Sequence, residues 1–307
     1  MSVFPDSGNG AGNGKMTVPD IVRRKSAVPG SANSIADPRI VCVTAYDYPT
    51  ARIVDEAGVD IVLVGDSLAM VVLGYENTLS LTVEEMLHHT RAARRGVQRA
   101  LLVADMPYGS YHADKSDSIQ NALRFVKEGG AEAVKIEGGE RRMETIARMV
   151  EAEIPVMGHI GLTPQSLHAF GGFRVQGKTI QAAEQIMRDA RAVEAAGAFS
   201  IVLESIPREV AAEITRELHI PTIGIGAGPE CDGQVLVIHD LAGLSFGRAP
   251  KFARQYAHVA ESISQAVSEY ASDVRAGKFP ADSESYHLSR EIRDRLLSGR
   301  RTGAIRS

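Results

Sequence analysis

Cysteine is nearly absent from this chain of 307 residues. Two residues, Cys42 and Cys231, cannot build a disulfide scaffold, and such sparse use fits a reducing, cytoplasmic setting. Both lie within or beside apolar segments and read as packing residues. No apolar run reaches the ~18 residues that span a bilayer, so no membrane partner is expected. An excess of one charge is also missing. The net charge is −4, from 34 Lys and Arg against 38 Asp and Glu, which argues against nucleic acid as a partner. The opening MSVFPDSGNGAGNGKM lacks the basic start and apolar core of a secretory signal. A GxGxxG after the first apolar run is absent too. AYDYPTA stands there instead, which disfavours a doubly wound dinucleotide-binding sheet.

What is present is a repeat. Short runs rich in Val, Ile and Leu occur at 39–47, 59–67, 99–107, 131–139, 154–162, 199–207, 220–228 and 234–243. Most are nearly continuous, as strands buried on both faces should be. Amphipathic stretches such as VEEMLHHTRAARRG and DSIQNALRFVKEGG separate them. Several end at a glycine (Gly58, Gly96, Gly129, Gly197), where a helix C-cap favours a left-handed residue. Strand then helix, eight times, predicts an α/β fold, a single-domain (β/α)8 TIM barrel. Residues 37–285 are assigned to the catalytic barrel. Residues 1–36, rich in Gly, Ser, Asn and Pro, read as a flexible N-terminal tail, and 286–307 as a basic C-terminal tail. A long final helix is expected over 250–275.

Barrels of this kind place chemistry at the C-terminal ends of their strands. The polar residues closing the runs are Asp47, Asp66, Ser67, Asp105, Lys135, Glu137, His159, Glu204, Ser205 and Asp240. Alternation puts Lys135 and Glu137 on one face, Asp105 with Val103, and Asp66 with Val62 and Val64. Each has a bland explanation. Asp47, just before YPTARIVDEAG, reads as a helix N-cap. That explanation is weaker for Asp66, because no clear helix starts before Thr82. Lys135 and Glu137 would make a costly buried pair if they did nothing. His159 alone would read as a core histidine.

Together they place three carboxylates from neighbouring strands at one rim, with a lysine and a histidine beside them. An all-oxygen set without cysteine or paired histidine suits a hard divalent ion such as Mg2+. A 2-oxo acid offers adjacent oxygens to such an ion, which would stabilise charge developing as an enolate forms. Glu204, on another part of the mouth, is placed to take the proton.

The blocks VGDSLAMVVLGYENTLSLTVEEM, LLVADMPYGSY, AVKIEGGE, VMGHIGLTPQS, FGGFRVQGK, IVLESIP, IPTIGIGAGPECDGQVLVIHDLAGL and PKFARQY follow in order. Over about residues 36–285 the chain resembles the ketopantoate hydroxymethyltransferase family. One departure is Ala69, where the family commonly has glycine after GDSL. The resemblance implies a Mg2+-dependent barrel that moves a one-carbon unit from 5,10-methylenetetrahydrofolate to 3-methyl-2-oxobutanoate. The product, 2-dehydropantoate, serves pantothenate and coenzyme A synthesis. By resemblance Asp66 and Asp105 match the metal-binding aspartates, and Glu137 the third metal-associated carboxylate, direct or through water. Asp66, Ser67, Asp105, Lys135 and His159 match substrate-pocket residues, with Lys135 on the substrate carboxylate. Glu204 matches the proton acceptor. The family implies a homodecamer and small-molecule partners only, a 2-oxo acid and a folate.

Three rivals stay open at this stage. A carbon–carbon lyase or mutase of the phosphoenolpyruvate mutase and isocitrate lyase kind would share the barrel and the metal-held oxo acid. A Schiff-base aldolase would use Lys135, with GIGAG as a phosphate cup. The third is a barrel kept only for binding or assembly.

Overall fold

Eight short strands meet edge to edge and close on themselves. They are β1 (Ile40–Thr44), β2 (Ile61–Val64), β3 (Leu101–Asp105), β4 (Ala133–Glu137), β5 (Val156–Gly161), β6 (Ser200–Glu204), β7 (Thr222–Ile225) and β8 (Gly233–Leu236). All pairings are parallel and sequential, and β8 returns to β1 with Ile40 opposite Gly233. This is the (β/α)8 barrel that the repeat predicts. The structure, a computed structural model, describes residues 14–25, 39–172, 174–247 and 249–301. The helices are α1 (Val18–Lys25), α2 (Tyr48–Glu56), α3 (Leu68–Val71), α4 (Val83–Gly96), α5 (Lys115–Lys127), α6 (Met143–Glu151), α7 (Leu167–Phe170), α8 (Ile180–Ala195), α9 (Arg208–Glu217), α10 (Ile238–Ala242), α11 (Val259–Arg275) and α12 (Arg290–Arg301). Among the described residues no helix is long and apolar enough to cross a membrane.

Period-two alternation divides the apolar residues into two layers. Ile40, Cys42, Ile61, Leu63, Leu101, Val103, Ala133 and Met157 fill the barrel. Val62, Val64, Leu102, Ala104, Val134, Ile136, Ile201 and Leu203 face outward against the helices. Both cysteines are free and buried, Cys42 inside the barrel and Cys231 in the outer layer. Burial pushes the Cys42 thiol far up, which leaves it a packing residue without nucleophilic character.

Helix signals in the sequence act as expected at several starts. Asp47 is the N-cap of α2 and accepts from the Thr50 amide at 2.8 Å. Thr82 and Glu85 form a reciprocal capping box on α4. Gly58 and Gly197 are left-handed, with φ of 87° and 92°. Gly96 is not. It lies inside α4, where a Cβ would stand 2.6 Å from the Tyr48 carbonyl, so its glycine serves close packing of α4 on α2. At Gly129 the left-handed residue is its neighbour Gly130.

Part of the segment expected to be a tail is helical. In α1, Ile21 is fully buried and joins the interior barrel cluster, with Met16, Val18 and Val22 packed on it. Met16 N donates to the Arg99 carbonyl at 2.6 Å, and Lys25 pairs with Asp232 at 2.9 Å. A short amphipathic turn among Gly, Ser and Asn escapes composition-based reading, because its order comes from the barrel floor it covers. Replacing Ile21 with Ala is expected to cost about 2–5 kcal/mol, read by urea unfolding. The rest of that expected tail, residues 1–13 and 26–36, lies outside the described residues.

The chain divides into two compact units, residues 1–257 and 258–307. The expected helix over 250–275 starts only at Val259. Pro250 stands at its start, and the Tyr256 amide is spent on the Leu241 carbonyl, so residues 251–258 run as loop. The second unit holds α11 and α12, and the expected C-terminal tail is helical from Arg290 to Arg301. Residues 302–307 lie outside the described residues.

Candidate active site

A cavity of about 740 Å3 opens at the C-terminal ends of the strands. Asp66, Ser67, Asp105, Lys135, Glu137, His159 and Glu204 all line it. Strand register explains their order. Asp105 is opposite Lys135, and Glu137 is opposite His159. Glu204 pairs with Gly161, two residues beyond His159. The side chains therefore form a row across β3, β4, β5 and β6. Cross-strand neighbours sit ~4.5–5.5 Å apart at Cβ, within reach of one another's functional groups.

Lys135 Nζ donates to Asp105 Oδ1 at 2.6 Å, with both side chains buried. Burial works against the ammonium charge, but Asp105, then Asp66 and Glu137, outweigh it and hold Lys135 well above its usual range. A Schiff base needs the free amine, so this lysine is held in the wrong form for one. The proposed phosphate cup is also filled: the Phe252 ring comes within 2.6 Å of where a Cβ on Gly226 would sit.

His159 stands between two carboxylates, 3.5 Å from Glu137 Oε1 and 3.2 Å from Glu204 Oε2. Neither contact has hydrogen-bond alignment, and Glu137 Oε1 and both ring nitrogens stay without a partner. Burial and then Lys135 disfavour the imidazolium, but Glu137 and Glu204 outweigh both and raise His159 to about 9.

Asp66 does not obey the strand alternation that would group it with the outward Val62 and Val64. β2 ends at Val64, and the chain turns at Gly65 into α3, which swings Asp66 into the cavity. Gly65 takes the inward position. A Cβ there would lie 2.9 Å from Ser67 Oγ and 3.6 Å from Asp105 Oδ2, so its absence keeps a recess between these groups. The start of α3 immediately after Ser67, missed in the sequence because it has one turn only, is not capped by a side chain. Ala69, the departure from the family pattern, adds a fully buried methyl to the outer layer. The Asp66 amide donates to Asp105 Oδ2 at 2.9 Å. Burial, then the Asp105 and Glu137 charges, push the Asp66 carboxyl up to about 8.

Two residues outside the strand-end pattern complete the site. Gln165, in the turn after β5, donates from its side chain to Asp66 Oδ2 at 2.9 Å and from its backbone to Glu137 Oε2 at 3.0 Å. Tyr111 donates to Gln165 Oε1 at 2.6 Å and accepts from the Glu137 amide at 2.9 Å. Both lie beyond a strand end by several residues, where a strand-end reading stops. The only sequence signal was Thr163-Pro164, which marks the turn. Tyr46 likewise shares a hydrogen bond of 2.9 Å between its hydroxyl and Ser67 Oγ. Asp240, expected at the end of β8, lies in α10 instead and accepts from Ser245 at 2.6 Å, though it still lines the cavity. Arg174 and Val175, from the FGGFRVQGK segment, also line the mouth.

Backbone geometry at the base of Glu204 is tight. Gly161 has φ of 93°, and a Cβ on it would stand 2.3 Å from the Glu204 carbonyl. Ser205 follows with φ of 47°, a sparsely populated region for a residue with a side chain.

Among the described residues, no three His, Cys, Asp or Glu side chains already form a metal-binding group. Mg2+ needs only one or two protein carboxylates, with water and substrate completing its shell. Asp66 and Asp105 meet that requirement, and the recess at Gly65 lies beside them. The acids here carry more negative charge than Lys135 and His159 balance, which the raised Asp66 carboxyl reflects.

These shifts fix a pH dependence. His159 and Asp66 both sit above their ordinary, unfolded values, at about 9 and about 8. A raised group favours the folded state at low pH and loses that contribution as pH climbs through the folded value. The His159 contribution is complete below about 6.5 and lost through about 9. The Asp66 contribution is complete below about 4 and lost through about 8, so the metal-free protein is expected to lose stability from about pH 4 to 9, and His159→Gln to reduce the slope only above about 6.5. Denaturant unfolding at a series of pH values checks both.

The sequence profile of the family described as ketopantoate hydroxymethyltransferase matches residues 31–282. A protein of Koribacter versatilis named 3-methyl-2-oxobutanoate hydroxymethyltransferase is 62% identical over 257 residues, covering 84% of this chain and 87% of its own. Among solved structures, a phosphonopyruvate hydrolase complexed with oxalate and Mg2+ aligns with a TM-score of 0.55 at 16% identity, over 94% of this chain and 98% of its own. A 2,3-dimethylmalate lyase, a member of the PEP mutase/isocitrate lyase superfamily, aligns with a TM-score of 0.54 at 17% identity, over 92% and 99%. At such low identity these two speak for the fold alone.

Proposed function

The chain belongs to the ketopantoate hydroxymethyltransferase family, and from that premise we propose that it transfers a hydroxymethyl group from 5,10-methylenetetrahydrofolate to 3-methyl-2-oxobutanoate, giving 2-dehydropantoate for pantothenate synthesis. The observation that carries the reading is the placement of charge in the cavity. Asp66, in the turn after β2, and Asp105, on β3, line the cavity together with Glu204 of β6, which lies opposite β2 in an eight-stranded ring. With Mg2+ held by the aspartates, a small acid between these walls would meet an electrophilic side and a basic side at once.

Asp66 and Asp105 would hold Mg2+, with Glu137 as the third metal-associated carboxylate, directly or through water. The ion would supply positive charge to a developing enolate oxygen. Lys135, held protonated, takes the substrate carboxylate. Ser67, steadied by Tyr46, lies against the oxo acid, and His159 lines the substrate pocket beside Glu204. Glu204 accepts the proton from C3. The carbon so freed attacks the methylene of the folate donor, and water releases the hydroxymethyl product and tetrahydrofolate.

Incubating the purified protein with 3-methyl-2-oxobutanoate and Mg2+ tests this. Product is expected only when 5,10-methylenetetrahydrofolate is added, and exhaustive demetallation should abolish it. Cleavage of a carbon–carbon bond without folate would instead support the phosphoenolpyruvate mutase and isocitrate lyase kind. Family membership also supports a cytoplasmic homodecamer, which light scattering of the purified protein would test.

A further inference from the structure

We propose that Gln165 is a positioning residue that sets which carboxylate oxygens of Asp66 and Glu137 are free to face a divalent ion. The inference rests on the metal site read above and deepens it. Gln165 contacts acids from two separate elements, the turn after β2 and the end of β4. Its side-chain amide donates to Asp66 Oδ2 at 2.9 Å and to the Met106 carbonyl at 3.0 Å. Its backbone amide donates to Glu137 Oε2 at 3.0 Å. One oxygen of each carboxylate is thereby occupied. The other oxygen of Glu137, Oε1, is buried and without a hydrogen-bond partner.

Direction in this network is fixed by hydrogen count. The Tyr111 hydroxyl accepts from the Glu137 amide, so its own proton is free to go to Gln165 Oε1. With Oε1 accepting, Nε2 must point its two hydrogens at Asp66 and Met106. A flipped amide would set its oxygen against the Met106 carbonyl, which can only accept. Every donor and acceptor of the buried side chain is used in one orientation alone. Groups behind metal ligands that are held this way commonly set affinity, and removing them costs ~10–100-fold.

The test is direct binding of Mn2+ to the full-length protein, by calorimetry and by the spectrum of the bound ion in electron paramagnetic resonance. Gln165→Met, close in volume but unable to make these bonds, is expected to weaken Mn2+ binding by ~10–100-fold and to alter the spectrum of the ion still bound. A role in packing alone would lower thermal stability and leave affinity and spectrum unchanged. That result in a folded Gln165→Met protein overturns the inference. Should that variant not fold, Tyr111→Phe keeps the ring and removes only the hydroxyl, which orients the Gln165 amide and accepts from the Glu137 backbone. It is expected to weaken Mn2+ binding in the same direction, and unchanged affinity there overturns the inference equally. Failure of the wild-type protein to bind Mn2+ overturns the metal reading itself, and so separates the two.

Discussion

The Glu204→Gln protein is expected to leave the C3 proton of 3-methyl-2-oxobutanoate unexchanged in deuterated buffer and to turn over about 10²–10⁴-fold more slowly. Glutamine keeps the length and hydrogen bonding of the side chain but cannot accept the proton. The carboxylate has no competing structural duty of that size, since its described side-chain neighbour is His159 at 3.2 Å. Glu204 also stands across the ring from Asp66, so Mn2+ affinity should stay near wild type. Proton exchange followed by NMR and a Mn2+ titration together isolate the base from the metal site. Full exchange in the variant would remove Glu204 from that role.

Lys135→Met is expected to lose about 3–5 kcal/mol of stability when free of metal, because removing one partner of a buried pair strands the other. Here the stranded charge is large. Asp105 loses its 2.6 Å partner, and Asp66 and Glu137 lose a nearby cation. Added Mg2+ should restore part of the loss, since any ligand of the folded state stabilises it in proportion to its binding. Turnover should stay low even with Mg2+, through a raised KM for the oxo acid, because nothing replaces the ammonium that meets its carboxylate. Thermal unfolding with and without Mg2+, beside steady-state kinetics, checks both halves. An unchanged melting temperature would mean that water already screens this cluster.

Most of the barrel was legible because its signals are local. A strand covered on both faces must be a continuous apolar run, and Asp47 and Thr82 cap helices through bonds to their own neighbours. The same locality failed at three places. α1 is ordered by the barrel floor that receives Ile21, not by its own composition. β8 is shorter than its apolar run, which continues into α10 and carries Asp240 with it. Asp66 reaches the cavity by a turn at Gly65 that alternation does not anticipate.

By itself the sequence determined the eightfold repeat, its buried strands, and the acids, lysine and histidine that close them. All of these follow from side-chain type and spacing along one chain. Tertiary structure alone decided which closing residues touch. Asp105 meets Lys135, and His159 comes between Glu137 and Glu204, because parallel pairing of strands brings together residues 22 to 45 positions apart in the chain. It alone also brought Gln165 and Tyr111 behind the acids, since a hydrogen bond depends on distance and direction in space, neither of which is written in the order of residues.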